Sequence, residues 1–158
     1  MKNCTIKIFG NNNIISIGSN CLINEGTFWI EDNESSISIG NDTTVNGKTE
    51  FACIEGKTIS IGNDCMFSSN IVIRTGDSHS IINSEGLRTN PSSDVKIGNH
   101  VWIGEGTVFL KGTKVSDNSI VGTRALVTKP FYEKNIVIGG TPAKIIKRDI
   151  NWLRERLV

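Results

Sequence analysis

Of the 158 residues only two are histidines, and one of them, His79, stands in the stretch Gly76-Asp77-Ser78-His79, where proton chemistry is feasible. Unperturbed imidazole titrates at about pH 6.5, so at neutral pH it can take a proton from an alcohol and return it to a leaving group. Asp77, two residues away, is close enough in sequence to hold the ring or stabilise its protonated form. As a residue type, a lone loop histidine is more often inert surface than catalyst, so its meaning depends on the elements that position it. The four cysteines, at positions 4, 21, 53 and 65, form no C-x-x-C pair and match no common zinc spacing. Cys21 and Cys65 share a small-residue slot with Thr43 between them, at steps of 22, and read as small buried hydrophobes in a reducing compartment. No metal centre is expected.

The elements announce themselves as a repeat. From residue 97 the chain falls into hexads whose first positions are Ile97, Ile103, Phe109, Val115, Val121 and Val127. Four places after the first five come Val101, Thr107, Thr113, Ser119 and Ala125, all small or β-branched. A helix would need apolar spacings alternating between three and four, whereas this pattern repeats every six residues. Earlier, Ile17-Gly18, Ile39-Gly40 and Ile61-Gly62 recur at steps of 22, and Ile61 to Ile97 is a step of 36. These steps predict a coil of three six-residue sides, enlarged at a corner in the early turns. Successive coils would then stack at the strand spacing of about 4.8 Å with Ile and Val ladders inside.

Composition agrees. There are 24 Ile and 10 Val against 6 Leu, a bias that suits pleated strands, beside 17 Asn and 16 Gly, which suit sharp corners. With 17 basic and 16 acidic residues the net charge is +1, so no charge field is available to drive nucleic-acid or membrane-surface binding. No apolar run approaches the roughly 20 residues of a membrane helix, and no signal peptide is read at the N-terminus. A soluble, cytoplasmic, single-domain protein is expected.

The repeat fails at one place. After Ile73 the ladder positions hold His79, Glu85 and Pro91, and residues 74–94 read as a polar loop leaving the coil. A loop of that length in a compact solenoid is usually functional. Beyond the last hexad, Ile146, Ile150, Leu153 and Leu157 are spaced four, three and four, which predicts a C-terminal helix over 145–158 after a coil domain of 1–144.

The hexads, with FSSNIVIRTGDSHSI and GLRTNPSSDVKIGNHVWIGEGTVFLKGTKV, resemble the bacterial hexapeptide-repeat acyltransferases, and within them the sugar and polysaccharide O-acetyltransferases. That resemblance covers roughly residues 14 to 147 and implies a left-handed parallel β-helix. It further implies a homotrimer with sites between subunits, acetyl-CoA as donor and His79 as general base, with Asp77 orienting it. On the acceptor side it points to Asn70, Arg88 and Glu50. Asn70 stands in FSSN, where an amide could equally close a corner. Glu50 occupies the position of an acceptor-binding asparagine in some of these enzymes, so that contact is altered here. On the donor side the resemblance puts Trp102 beside the thioester and makes the amide of Glu105, after Gly104, a donor to its carbonyl. Gly122 and Thr123 would meet the pantetheine arm. Lys129, Lys144 and Pro142, the last two in NIVIGGTPAKIIKR, would meet the nucleotide end. His100 reads better as a surface histidine.

The implied function is acetyl transfer to a hydroxyl of a sugar in a cell-surface polysaccharide or its precursor. Acetylation of an amino-sugar nucleotide or of a small serine-type acceptor is the alternative on the same scaffold. A metal-dependent carbonic anhydrase of this fold would need three histidine ligands where the chain has two. A non-enzymatic solenoid should lack both the broken repeat and the GGTPAK block.

Overall fold

The computed structural model describes all 158 residues and contains strands only. The chain winds as a triangular prism. The first coil is β1 (Thr5–Ile8), β2 (Ile14–Ile17) and β3 (Leu22–Ile23); the second is β4 (Gly26–Ile30), β5 (Ser36–Ile39) and β6 (Thr44–Val45). The third is β7 (Thr49–Cys53), β8 (Thr58–Ile61) and β9 (Met66–Phe67), and the fourth β10 (Ile71–Arg74), β11 (Val95–Ile97) and β12 (Trp102–Ile103). A fifth coil follows as β13 (Val108–Phe109), β14 (Lys114–Val115) and β15 (Ile120–Val121). The chain then closes with β16 (Leu126–Val127), β17 (Val137–Gly139) and β18 (Lys144–Lys147).

Strands stack into three faces: β1-β4-β7-β10-β13-β16 (face one), β2-β5-β8-β11-β14 (face two) and β3-β6-β9-β12-β15-β17-β18 (face three). All pairings within the coils are parallel, and only β17 with β18 is antiparallel. The ladder read from the repeat is the observed register: Ile17, Ile39, Ile61, Ile97 and Val115 are successive partners on face two. On face one the inward row is Ile6, Phe28, Phe51, Ile73, Phe109 and Val127, with Phe28 and Phe51 stacked at 4.9 Å. The six hexad-leading residues and the five small ones four places on are all buried. Ile6 and Ile8 belong to the same rows yet are about half exposed, because the first coil has no coil beneath it.

Corners explain the asparagines. Between faces two and three the chain turns through a left-handed residue in each coil: Asn20, Asp42, Asp64, His100, Asn118 and Asn135, with φ of 52–58°. Beside them Asn41, Asn63, Asn99 and Asp117 each accept, at 2.8–2.9 Å, the backbone N–H of the preceding coil's corner. The four extra residues of the early coils lengthen faces one and two: β4 and β7 have five residues where β13 has two. Cys21, Thr43 and Cys65 share one inward corner column, each donating to the carbonyl of a glycine in the next coil (Gly40, Gly62, Gly98).

The C-terminal helix expected over 145–158 does not form, and these residues are not a separate unit. Ile145 pairs with Ile138 in the β17–β18 hairpin, and the segment after it lies back across the corner of faces two and three. Its anchor is Trp152, 5% exposed, and not the apolar stripe, since Ile146, Leu153 and Leu157 are exposed. Arg154 donates to Asp64 Oδ1, Thr44 Oγ1 and the carbonyls of Asp42 and Cys65. Those fixed acceptors outweigh a helical spacing that has nothing to pack its stripe against. No helix is long and apolar enough to cross a membrane.

Candidate active site

On face one the pleat sends alternate residues outward. Register aligns Thr27 and Glu50 in one outward row, and Trp29, Ala52 and Arg74 in the next. Ala52 is the small member between two large ones, so the face is notched there. Glu31, Ile54, Gly76 and Ser78 continue the lining past the strand ends, and the groove so formed holds about 290 Å3. Gly76 keeps its floor low, since a Cβ there would lie 2.3 Å from Ser92 Oγ and 2.6 Å from Ile54 Cδ1. The Trp29 indole N–H donates to Glu31 (2.9 Å), and Arg74 donates to Glu50 (2.9 Å). Glu50, standing for the expected asparagine, is thus the ion-pair partner of Arg74.

The loop at the corner of faces one and two spans 75–94. Thr75 starts it from inside the coil, accepting the Ile54 N–H at 2.9 Å, and Ser93 ends it by donating its N–H to the Thr75 carbonyl. Asn90 is its hub. The amide nitrogen donates to Asp77 Oδ2 (2.9 Å) and to the His79 carbonyl (2.8 Å), while Oδ1 accepts the Ile81 N–H (2.7 Å). Lys111, one coil on, donates to Asp77 at 2.5 Å and to the Asn90 carbonyl at 3.1 Å. Arg88 donates to Glu55 at 2.7 Å and to the Asn90 carbonyl at 3.2 Å. Lys111 and Asn90 hold the Asp77 carboxyl below its usual range, and Arg88 does the same for Glu55.

His79 is exposed and directly follows Ser78, which lines the groove and has φ +65°. The expected Asp77–His79 ring contact is not formed. Asp77 spends its carboxylate on Lys111 and Asn90, and reaches His79 only through Asn90 and the His79 backbone. Arg88 likewise braces the loop through Glu55 and Asn90.

Donor-side residues lie elsewhere on the prism. Trp102 points out from face three, 40% exposed, with its ring 6.2 Å from Trp152. Gly104 turns the corner from face three to face one under the next coil, where a Cβ would come within 2.6 Å of the Thr123 nitrogen. Neither the Glu105 nor the Thr123 backbone N–H finds a partner within the chain, so this corner, which also includes Gly122, presents free donors. Asn70 sits in the same column with φ +55° and donates to the Glu105 carboxylate at 3.2 Å: it closes the corner, does not line the groove, and borders a hollow of about 200 Å3 that it shares with the groove residue Glu50. Lys129 and Lys144 line one pocket of about 450 Å3 with Phe131 and Tyr132, and Pro142 lies exposed in the turn before Lys144.

Within one chain these parts are not all together. His79 and the groove occupy the corner of faces one and two, whereas Trp102, Gly104, Glu105, Gly122 and Thr123 occupy face three and its corner with face one. Sequence reasoning missed Trp29, Arg74, Lys111 and Asn90. Trp29 had a signal, as the outward member of the alternating run Thr27-Phe28-Trp29-Ile30; the loop's bracing had none. His100 is no free surface histidine: its Nδ1 lies 2.6 Å from Asp64, its Nε2 3.0 Å from the Trp152 carbonyl, and its ring stacks on Trp152 at 4.1 Å. The Asp64 carboxyl is resisted by burial but held low by Arg154 and His100. Cys53 and Cys65 are buried free thiols, and burial pushes Cys65 up to about 11.

No family model matches the chain. Among solved structures it is similar to the polysialic acid O-acetyltransferase OatWY, with 35% identity over 99% of this chain and 93% of that one and a TM-score of 0.78. It shares its fold with a galactoside acetyltransferase solved in complex with coenzyme A (24% identity, 84% of this chain, 64% of that one, TM-score 0.67). Among curated proteins, a chloramphenicol acetyltransferase of Agrobacterium fabrum is 47% identical over 58 residues, which span 37% of this chain and only 27% of that relative. The regular coil, the single broken turn carrying His79 and this near full-length likeness agree: the chain belongs to the hexapeptide-repeat acetyltransferases of left-handed parallel β-helix fold, in their sugar O-acetyltransferase subgroup.

Proposed function

We propose that the protein moves an acetyl group from acetyl-CoA to a hydroxyl of a sugar in a cell-surface polysaccharide or its precursor, by direct attack with His79 as general base. The observation that carries the reading is the one break in an otherwise regular coil. It is braced by five side chains (Glu55, Asp77, Arg88, Asn90 and Lys111), and it carries His79 one residue beyond Ser78, which lines a polar and aromatic groove. A structural solenoid has no use for such bracing.

His79 takes the proton of the acceptor hydroxyl as its oxygen bonds to the thioester carbonyl carbon. The free N–H of Glu105 receives the negative charge that develops on the carbonyl oxygen. The carbon–sulfur bond then breaks, and the leaving thiolate takes the proton back from His79. No acyl-enzyme is needed, and Cys53 and Cys65 are too buried to form one. The pocket bearing Lys129 and Lys144 suits a polyphosphate group, and the column of free amides suits a carbonyl-rich pantetheine arm. Because His79 and the Trp102–Glu105 edge lie on different corners of one prism, a complete site needs the Trp102–Glu105 edge of a second copy. A closed homotrimer supplies three such sites.

His79→Ala tests the base. Transfer from acetyl-CoA to a sugar acceptor is expected to fall by roughly 10²–10⁴-fold while acetyl-CoA affinity stays unchanged. Near-wild-type turnover in that variant would overturn the assignment.

A further inference from the structure

The groove on face one is built for more than the sugar that reacts. Its walls are Trp29 on β4 and Arg74 on β10, with Ala52 of β7 between them. Two strand spacings of about 4.8 Å put the backbones of the two wall strands roughly 10 Å apart. On its β1 side Trp29 is already covered: Lys7 lies over the ring at 5.1 Å and Phe9 packs on it at 5.3 Å. The flank toward β7 looks across Ala52 and lines the groove. The indole is also fixed in place by its N–H bond to Glu31. A rigid aromatic face opposite a polar wall is a platform for the C–H face of a sugar ring, whose hydroxyls then meet the carboxylates and the guanidinium.

Charge narrows the occupant. The cations in and beside the groove are already neutralised: Arg74 by Glu50, Arg88 by Glu55 and Lys111 by Asp77. Glu31 adds a carboxylate with no cationic partner, and Lys7 sits outside the lining. An acidic sugar entering the slot would meet unpaired negative charge and no free cation, whereas an uncharged pyranose would meet only hydrogen-bonding groups.

We propose that the Trp29–Ala52–Arg74 slot is a second acceptor subsite, which seats an uncharged pyranose unit neighbouring the one that reacts at His79. The acceptor is then an oligosaccharide or polymer of neutral or N-acetylated sugars, and not an acidic chain. This rests on the transferase reading above, but binding of glycans without donor tests it separately. The probes are neutral, N-acetylated and sialylated trisaccharides with their monosaccharides, titrated against the wild-type protein and against Trp29→Ala and Ala52→Leu. Ala52→Leu fills the slot from an outward position and leaves the core untouched. The expected result is binding of neutral or N-acetylated trisaccharides above their monosaccharides, weakened about tenfold by either substitution. Preference for the sialylated trisaccharide, trisaccharide binding indifferent to Ala52→Leu, or no trisaccharide bound at all would each overturn the subsite. Failure of the transferase reading would show instead as no acetyl-CoA binding by the same preparation.

Discussion

At the scale of the residue, the proposed catalysis depends on how His79 is held. Its type and its place in a broken repeat are legible in the sequence. Its support is not, because Asp77 reaches it through Asn90, thirteen positions on, and is itself held by Lys111, thirty-four positions on. Spacing along the chain shows neither partner. The carboxyls of Asp77 and Glu55 are lowered in the fold, so their contribution is present above their ordinary range and is lost as pH falls through the lowered values. The loop at 75–94 is therefore expected to stay protected through neutral pH and to open only below the usual carboxylate pKa of about 4. Removing the main cause with Lys111→Met should move that opening to higher pH. Hydrogen exchange of the loop amides against pH reads both. Equal protection of wild type and variant across the acid range would show that the ion pair does not hold the loop.

At the scale of the element, the repeat predicted the strands and their register because each coil must bury one side chain at the same place in every turn. The glycine after the apolar position has its own reason. Coils approach so closely that a Cβ on Gly62 would lie 2.6 Å from the Gly98 carbonyl carbon, and one on Gly40 2.6 Å from that of Gly62. Gly62→Ala is thus expected to destabilise by about 1–3 kcal/mol or more, since rigid backbone cannot yield as a side chain can. Thermal unfolding would register it as a lowered midpoint, and an unchanged midpoint would contradict the close stacking. The tail shows where periodicity misleads. Its helical spacing is real, but a hairpin partner for Ile145 was available in Ile138, and the backbone acceptors for Arg154 came from Asp42 and Cys65, far away in sequence. Trp152, outside the predicted stripe, carries the burial.

At the scale of the whole molecule, the prism separates what the reaction must unite. Of the residues read from the family motifs as donor-side, Trp102, Gly104, Glu105, Gly122 and Thr123 lie on face three and its corner with face one, while His79 lies at the corner of faces one and two. The groove proposed for the acceptor was not legible, because it appears only when β4, β7 and β10 are laid side by side and the small Ala52 falls between Trp29 and Arg74. If the proposed reaction holds, acetyl-CoA binds the assembled protein at one site per chain, between copies. Calorimetric titration of acetyl-CoA into the purified protein, with its oligomeric state measured in the same buffer, tests this without knowledge of the acceptor. The expected result is micromolar binding, one equivalent per chain, by a trimer. A folded trimer that takes up no acetyl-CoA would contradict it.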